Sequence, residues 1–151
     1  STLWLGTAQP NQTHYTGFRF TNVTVPPGAI IQNAYVEVNS SQNQWLTIGF
    51  TLAAEDAGTS STFSAGSNIS SRVLTSAQVA HSFNTNWLAN NWYQTNNISS
   101  VIQEVVDRAD WQSGNSMSII AKGTGGAWGR KYIGSFEGST TLAPRLVITY
   151  Q

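Results

Sequence analysis

The sequence predicts an all-β fold: an antiparallel β-sandwich of the jelly-roll type with one short amphipathic helix. Three observations predict it. Apolar residues recur with period two in short runs, Gly, Pro, Asn and Ser punctuate those runs at even spacing, and a single segment carries a helical period. The 151 residues fit one domain, 1–151, because no linker divides the chain and nothing in it repeats.

Tyr15 to Phe20 opens the series, with Phe18 and Phe20 on one face and Gly17 and Arg19 on the other. Thr24 to Ile31 folds over the turn at Pro26-Pro27-Gly28. Ala34 to Val38 alternates Val36 and Val38 against Tyr35 and Glu37. Leu46 to Ala53 is the clearest strand, with Leu46, Ile48, Phe50 and Leu52 inward and Thr47, Gly49 and Thr51 outward. Val79 to Phe83 follows, and then the period changes. Ile98, Val101, Ile102, Val105 and Val106 fall at i, i+3, i+4, i+7 and i+8, the apolar stripe of a helix. Asn97 or Ser99 caps its first turn, Glu104, Asp107 and Arg108 form a solvated outer face, and Trp111 with Ser113-Gly114-Asn115 ends it. Such a helix plugs an open end of a sandwich. Ser116 to Lys122, Trp128 to Phe136 and Leu146 to Tyr150 complete the strands.

Charged residues make up only 9% of the chain against a hydrophobic fraction of 40%, so its polarity comes from Ser, Thr, Asn, Gln and Gly. That balance is typical of exported β-proteins and points to an extracellular or cell-surface location. Seven basic and seven acidic residues cancel, which removes the attraction that drives non-specific binding to nucleic acid and to anionic membranes. With no cysteine, the chain has neither a disulfide framework nor a thiolate zinc site. No apolar run approaches the roughly 18 residues of a membrane span. The chain starts at Ser1 without a charged-then-apolar leader, as a mature or excised fragment would. Glycosylation sequons begin at Asn11, Asn22, Asn39, Asn68 and Asn97.

The segment Thr24-Val25-Pro26-Pro27-Gly28-Ala29-Ile30-Ile31-Gln32-Asn33-Ala34-Tyr35 resembles the IPxGATIxxAxL signature of bacterial and archaeal secreted modules of the DNRLRE type. Gly17-Phe18-Arg19-Phe20 is similar to that family's arginine-bearing strand. Asn97 to Val106 with Trp111 to Asn115 looks like its helix, and Ala143 to Tyr150 like its closing strand. The resemblance covers most of the chain and implies a jelly roll, not a reaction, since such modules accompany polysaccharide-active enzymes and adhesins alike. Members carry a further strand before the position matching Thr2 to Gly6. The resemblance therefore implies an open edge, which a neighbouring copy's strand completes or from which a chain boundary has removed the partner.

Six Trp and five Tyr, set among many amides, are the tools of a sugar-binding module. Trp45 and Trp111 adjoin strong apolar runs and are expected in the core. Trp87, Trp92 and Tyr93, packed among Asn with weak periodicity, are expected at a loop or edge that contacts a glycan or a neighbouring subunit. So is Trp128, which follows Gly123-Thr124-Gly125-Gly126-Ala127 at a hairpin tip. The seven acids are scattered, and His14 and His81 have no motif partner, so no catalytic constellation is expected. No cofactor is expected either. Glu55-Asp56 offers at most two ligands of a structural calcium ion. Arg19, Lys122, Arg130, Lys131 and Arg145 lie on strands and are expected to form internal ion pairs or, failing that, sugar contacts, with Lys122 or Lys131 as a candidate for an isopeptide bond to Asn.

Two functions follow as expectations. The first is a non-catalytic extracellular structural subunit of a filament or surface layer, glycosylated and joined to copies of itself by strand complementation. The second is a carbohydrate-binding module of a secreted protein.

Overall fold

Alternation along the chain becomes a set of short strands in a computed structural model that describes residues 2–151. In chain order they are β1 (Thr2–Gly6), β2 (Tyr15–Phe20), β3 (Ile31–Asn39), β4 (Ile48–Ala54), β5 (Val79–Phe83), β6 (Trp92–Gln94), the helix α1 (Ser99–Val106), β7 (Met117–Thr124), β8 (Arg130–Gly134) and β9 (Arg145–Tyr150). One face of the resulting sandwich is the sheet β2-β7-β4-β5, and the other is β6-β3-β9. All pairings are antiparallel.

The ribbon of β1 and β8 extends the second sheet. Ser40, just past β3, bridges Ile133 of β8, and Ser41 N donates to Tyr132 O at 3.2 Å. Glu37 pairs with β6 on one side and β9 on the other, and Ser40 bonds the β6 side through Asn90 and Asn91. β8 and β9 therefore lie end to end in one lane beside β3. β1 flanks that lane only along β8, so among the described residues no strand lies outside β9.

The core is built where inward faces meet. Val36 and Val38 of β3, Ile48, Phe50 and Leu52 of β4, and Ile119 and Ala121 of β7 are all buried, each larger side chain contributing roughly 1.5–3 kcal/mol of transfer free energy. Val101, Ile102, Val105 and Val106 turn the apolar stripe of α1 onto the same core. The helix touches β3 and β4, one from each sheet, and so closes that end of the sandwich. Its start differs from the expected cap: Ile98 occupies the cap position without a side-chain bond. Asn97, one residue earlier, accepts from Ser99 N at 2.9 Å and Ala34 N at 3.1 Å. Glu104 is not simply solvated, since its carboxylate accepts from Ser76 N and Ala77 N at 2.7 and 2.8 Å.

Two strands escape the sequence pattern. β6 has three residues, too few to show a period, and β1 is identified by its pairing with β8. Gly6, with φ +112°, packs so tightly that a Cβ there would sit 2.0 Å from Gly129 O. At the other end of the expected β4 strand, Leu46 is 57% exposed and β4 begins only at Ile48. No helix among the described residues is long and apolar enough to cross a membrane.

Candidate functional site

The site begins with a buried amide. Gln44 is 5% exposed, and its side chain donates to Ser40 Oγ and Tyr132 O, both at 2.8 Å, while accepting from Tyr132 N. Its backbone exchanges hydrogen bonds with Trp87 at 2.7 and 2.8 Å. A polar side chain thus takes the inward place, satisfied in full as burial requires, and the two apolar residues that follow are held outside. Trp45 is 68% exposed, the reverse of its expected core position.

Across from Trp45, the β7–β8 connection presents Trp128. Its backbone is left-handed, φ +63°, and its N–H donates to Ala8 O at 2.7 Å. Thr7 clamps the same turn by donating its hydroxyl to Gly126 O. The turn therefore fixes Trp128, which is half exposed, a placement that needs a reason. Trp45, Trp128 and Tyr132, with Gln42, Asn43 and Arg130, line a shallow pocket of about 310 Å³.

Arg130 sets the charge of this pocket. Its guanidinium lies 5.4 Å from the ring centres of Trp128 and Tyr132 and 5.6 Å from that of Trp4. The other arginines all have hydrogen-bond acceptors: Arg19 bonds Ser60 O and Ser116 Oγ, Arg72 pairs with Glu55, Arg108 with Asp56 and Asp110, and Arg145 bonds Thr141 O. Among the described residues, Arg130 alone of the arginines meets only aromatic faces. A cation so placed can receive a ligand anion while the rings receive apolar faces.

The residues singled out from sequence separate into different environments. Trp87 is wholly buried, stacked on Tyr93 with centroids 4.4 Å apart and planes 6° from parallel, and met edge-on by Phe83 at 4.6 Å. This corrects its expected contact role, because the pairing of its backbone with Gln44 draws the ring into the core. Tyr93 is half-buried, with its hydroxyl accepting from Leu88 N at 2.8 Å. Trp92 is half-buried under the Arg145 guanidinium, 3.9 Å from the ring centre. Trp128 alone of the four lines the pocket. Trp111 occupies the core as expected, donating Nε1–H to Val25 O at 3.0 Å.

Trp45 was expected in the core, and nothing singled out Arg130 from the other strand cations or Tyr132 from the other tyrosines as part of a site. The one signal for them was the polar run Ser40-Ser41-Gln42-Asn43-Gln44, whose turn-forming residues mark Trp45 as following a loop and not as lying within a strand.

Other expectations are corrected by contacts. Glu55 and Asp56 face guanidinium groups in place of calcium, Glu55 through Arg72 Nη1 at 2.7 Å and Asp56 through Arg108 Nη1 at 2.5 Å. Arg108 holds the Asp110 carboxyl below its usual range by hydrogen bonding. Among the described residues, Arg19, Arg130 and Arg145 form no ion pair. Lys131 is fully buried without an acid, its Nζ donating to Thr85 O at 3.0 Å and Gln44 O at 3.4 Å and lying 5.0 Å from the Trp87 ring centre. Burial pushes its ammonium pKa down. Those contacts include neither Asn nor carboxylate, so Lys131 lacks the surroundings of an isopeptide bond, and Lys122 is exposed.

Of the sequons, Asn11 and Asn22 are exposed at left-handed turns, φ 60° and 54°. Asn68 is exposed and caps a single 3-10 turn by accepting from Ser71 N at 3.0 Å. Asn97 is exposed, with its Oδ1 engaged at the start of α1. Asn39 is 2% exposed, so the folded chain does not present its amide.

Neither a scan against protein-family models nor a search of curated proteins returns a match for this chain.

Proposed function

We propose that this chain is a non-catalytic, exported module that binds a saccharide, with an acidic sugar unit held in the Trp45–Trp128–Tyr132 pocket. The observation that carries this reading is Arg130, a guanidinium without a carboxylate partner set among three aromatic rings. A pyranose ring offers an apolar face to Trp45 or Trp128, its hydroxyls suit the amides of Gln42 and Asn43, and its carboxylate or sulfate supplies the charge that Arg130 lacks.

The test is titration calorimetry with acidic and neutral oligosaccharides of equal length. Acidic chains should bind and neutral ones bind less. Trp128→Ala should weaken binding by about tenfold or more, the order expected when one stacked ring is lost. Arg130→Gln should remove the preference for acidic chains. Equal binding of both classes, or unchanged affinity in Trp128→Ala, would sink the reading.

A second reading, an extracellular structural subunit joined to its own copies by strand complementation, is favoured by a different observation. The outer edge of β9 has no strand beside it among the described residues, and it borders an apolar groove. In that assembly the exposed sequons, Asn11 and Asn22 foremost, would carry the glycans.

A further inference from the structure

The groove along the β9 edge has two connected parts, of about 470 and 310 Å³, which share Phe20 and Thr21. Phe18 and Phe20 of β2 wall one side, and Leu146, Ile148 and Tyr150 of β9 line the other. Leu146 and Ile148 pack only partly against the core.

Three other strand edges are shielded, short or interrupted by Gly or a charge. Asn96 covers β5, with its N–H donating to His81 Nδ1 at 2.9 Å and its side chain to Ala80 O at 3.0 Å. β6 has three residues, and β2 carries Gly17 and Arg19 at mid-strand. β9 has six residues, reads Arg-Leu-Val-Ile-Thr-Tyr, and lacks the inward charge or proline that normally protects an edge; the one irregularity in its pairing with β3 falls on the β3 side, between Ile31 and Asn33. Its single charge stands at its first position.

Hydrogen-bond phase fixes which groups are free. Gln151 exchanges bonds with Ile30 on the β3 side, at 2.9 and 3.1 Å. Backbone direction alternates along a strand, so Thr149 and Val147 also face β3, and the N–H and C=O of Leu146, Ile148 and Tyr150 point into the empty lane. The side chains of the same three residues line the groove.

We infer that this edge pairs with β9 of a second copy, antiparallel across a two-fold axis through Val147. This rests on the assembly reading above and names its partner. The register follows from two requirements: residues facing one another must point to the same side of the sheet, and each free N–H must meet a carbonyl. Placing Val147 opposite Val147 of the second copy satisfies both. Leu146 then exchanges hydrogen bonds with Ile148 of the second copy, and both side chains extend one apolar layer. Arg145 falls opposite Thr149, so the only charge on the strand never meets itself. Pro144, which has no N–H to lose, falls opposite Tyr150 and accepts at the end of the pairing. Val147 and its counterpart form the non-hydrogen-bonded pair, in which side chains approach most closely.

That close approach supplies the test. Sedimentation velocity of the full chain at about 100 µM, a concentration that populates contacts at the weak end of protein interfaces, should show a dimer. Val147→Lys and Val147→Glu should each be monomeric, because like charges meet at the axis. An equimolar mixture of the two should recover the dimer, and that recovery also shows that both variants fold. In the unaltered chain, amide exchange at Leu146, Ile148 and Tyr150 should slow as concentration rises. A monomer at this concentration, or β9 amides whose protection does not depend on concentration, would overturn the inference together with the assembly reading. An oligomer that survives Val147→Lys would overturn the β9 pairing and leave assembly through another face standing.

Discussion

Lys131 is the residue whose place is hardest to reconcile with its chemistry. An ammonium with no accessible surface, two carbonyl acceptors and one indole face has lost its water without gaining a counter-ion. Burial lowers its pKa from the ordinary 10.5, so between the folded and unfolded values the unfolded chain binds the extra proton. Stability therefore rises with pH across that window and is lost as pH falls through the folded value. Burial pushes the His81 imidazole down as well, which adds loss of stability on the acid side of 6.5. We expect the urea midpoint to increase from about pH 7.5 to about pH 9.5, and Lys131→Met to flatten that increase. The same slope in both proteins would mean that Lys131 is charged and stabilised where it lies. The sequence marked this lysine as a strand residue expected to pair with an acid or bond to Asn, not as a cation buried alone. Its burial follows from strand phase, since Lys131 alternates with Arg130 and Tyr132, which face the pocket, and so points inward beside Ile133.

At the scale of elements, α1 was legible because a period of 3.6 over two turns is hard to imitate by chance. Its anchoring was not. Glu104, read as part of a solvated face, holds two backbone amides of the segment before β5 and so ties the helix to that segment. Glu104→Ala should cost about 1–2 kcal/mol in urea unfolding, the range for freeing amides from a charged acceptor, and Glu104→Gln should cost less. A loss within error of zero would show that water replaces the carboxylate. β4 teaches the complementary lesson. Its alternation extends on paper to Leu46, but the strand starts two residues later because Gln44 is committed to β8 and Trp87.

For the whole molecule, partners are distant in sequence. β1 pairs with β8, β2 with β7 and β3 with β9, so that Thr2 meets Gly134 and Ile31 meets Tyr150. Closing such loops before their contacts form makes folding slow. Refolding followed through the fluorescence of buried Trp87 and Trp111 should take milliseconds to seconds. Completion within microseconds would contradict the topology. The same closure separates two surfaces: the β4–β8 side carries the aromatic pocket, and the β2–β9 side carries the open groove. A pairing through β9 would leave the aromatic pocket of each copy free.

By itself the sequence determined the all-β class, most strands, the helix and the absence of cysteine chemistry, because those depend on local periodicity and composition. Tertiary structure decided which aromatic rings are available. Trp45 adjoins a strong apolar run and Trp87 stands among amides, yet Trp87 lies in the core and Trp45 is on the surface. The difference is one pair of backbone hydrogen bonds between Gln44 and Trp87 and the inward turn of the Gln44 amide. Contacts between residues more than forty positions apart leave no local period to read. For the same reason no local period shows that β8 and β9 share a lane beside β3, which only their bridges and register with β3 reveal.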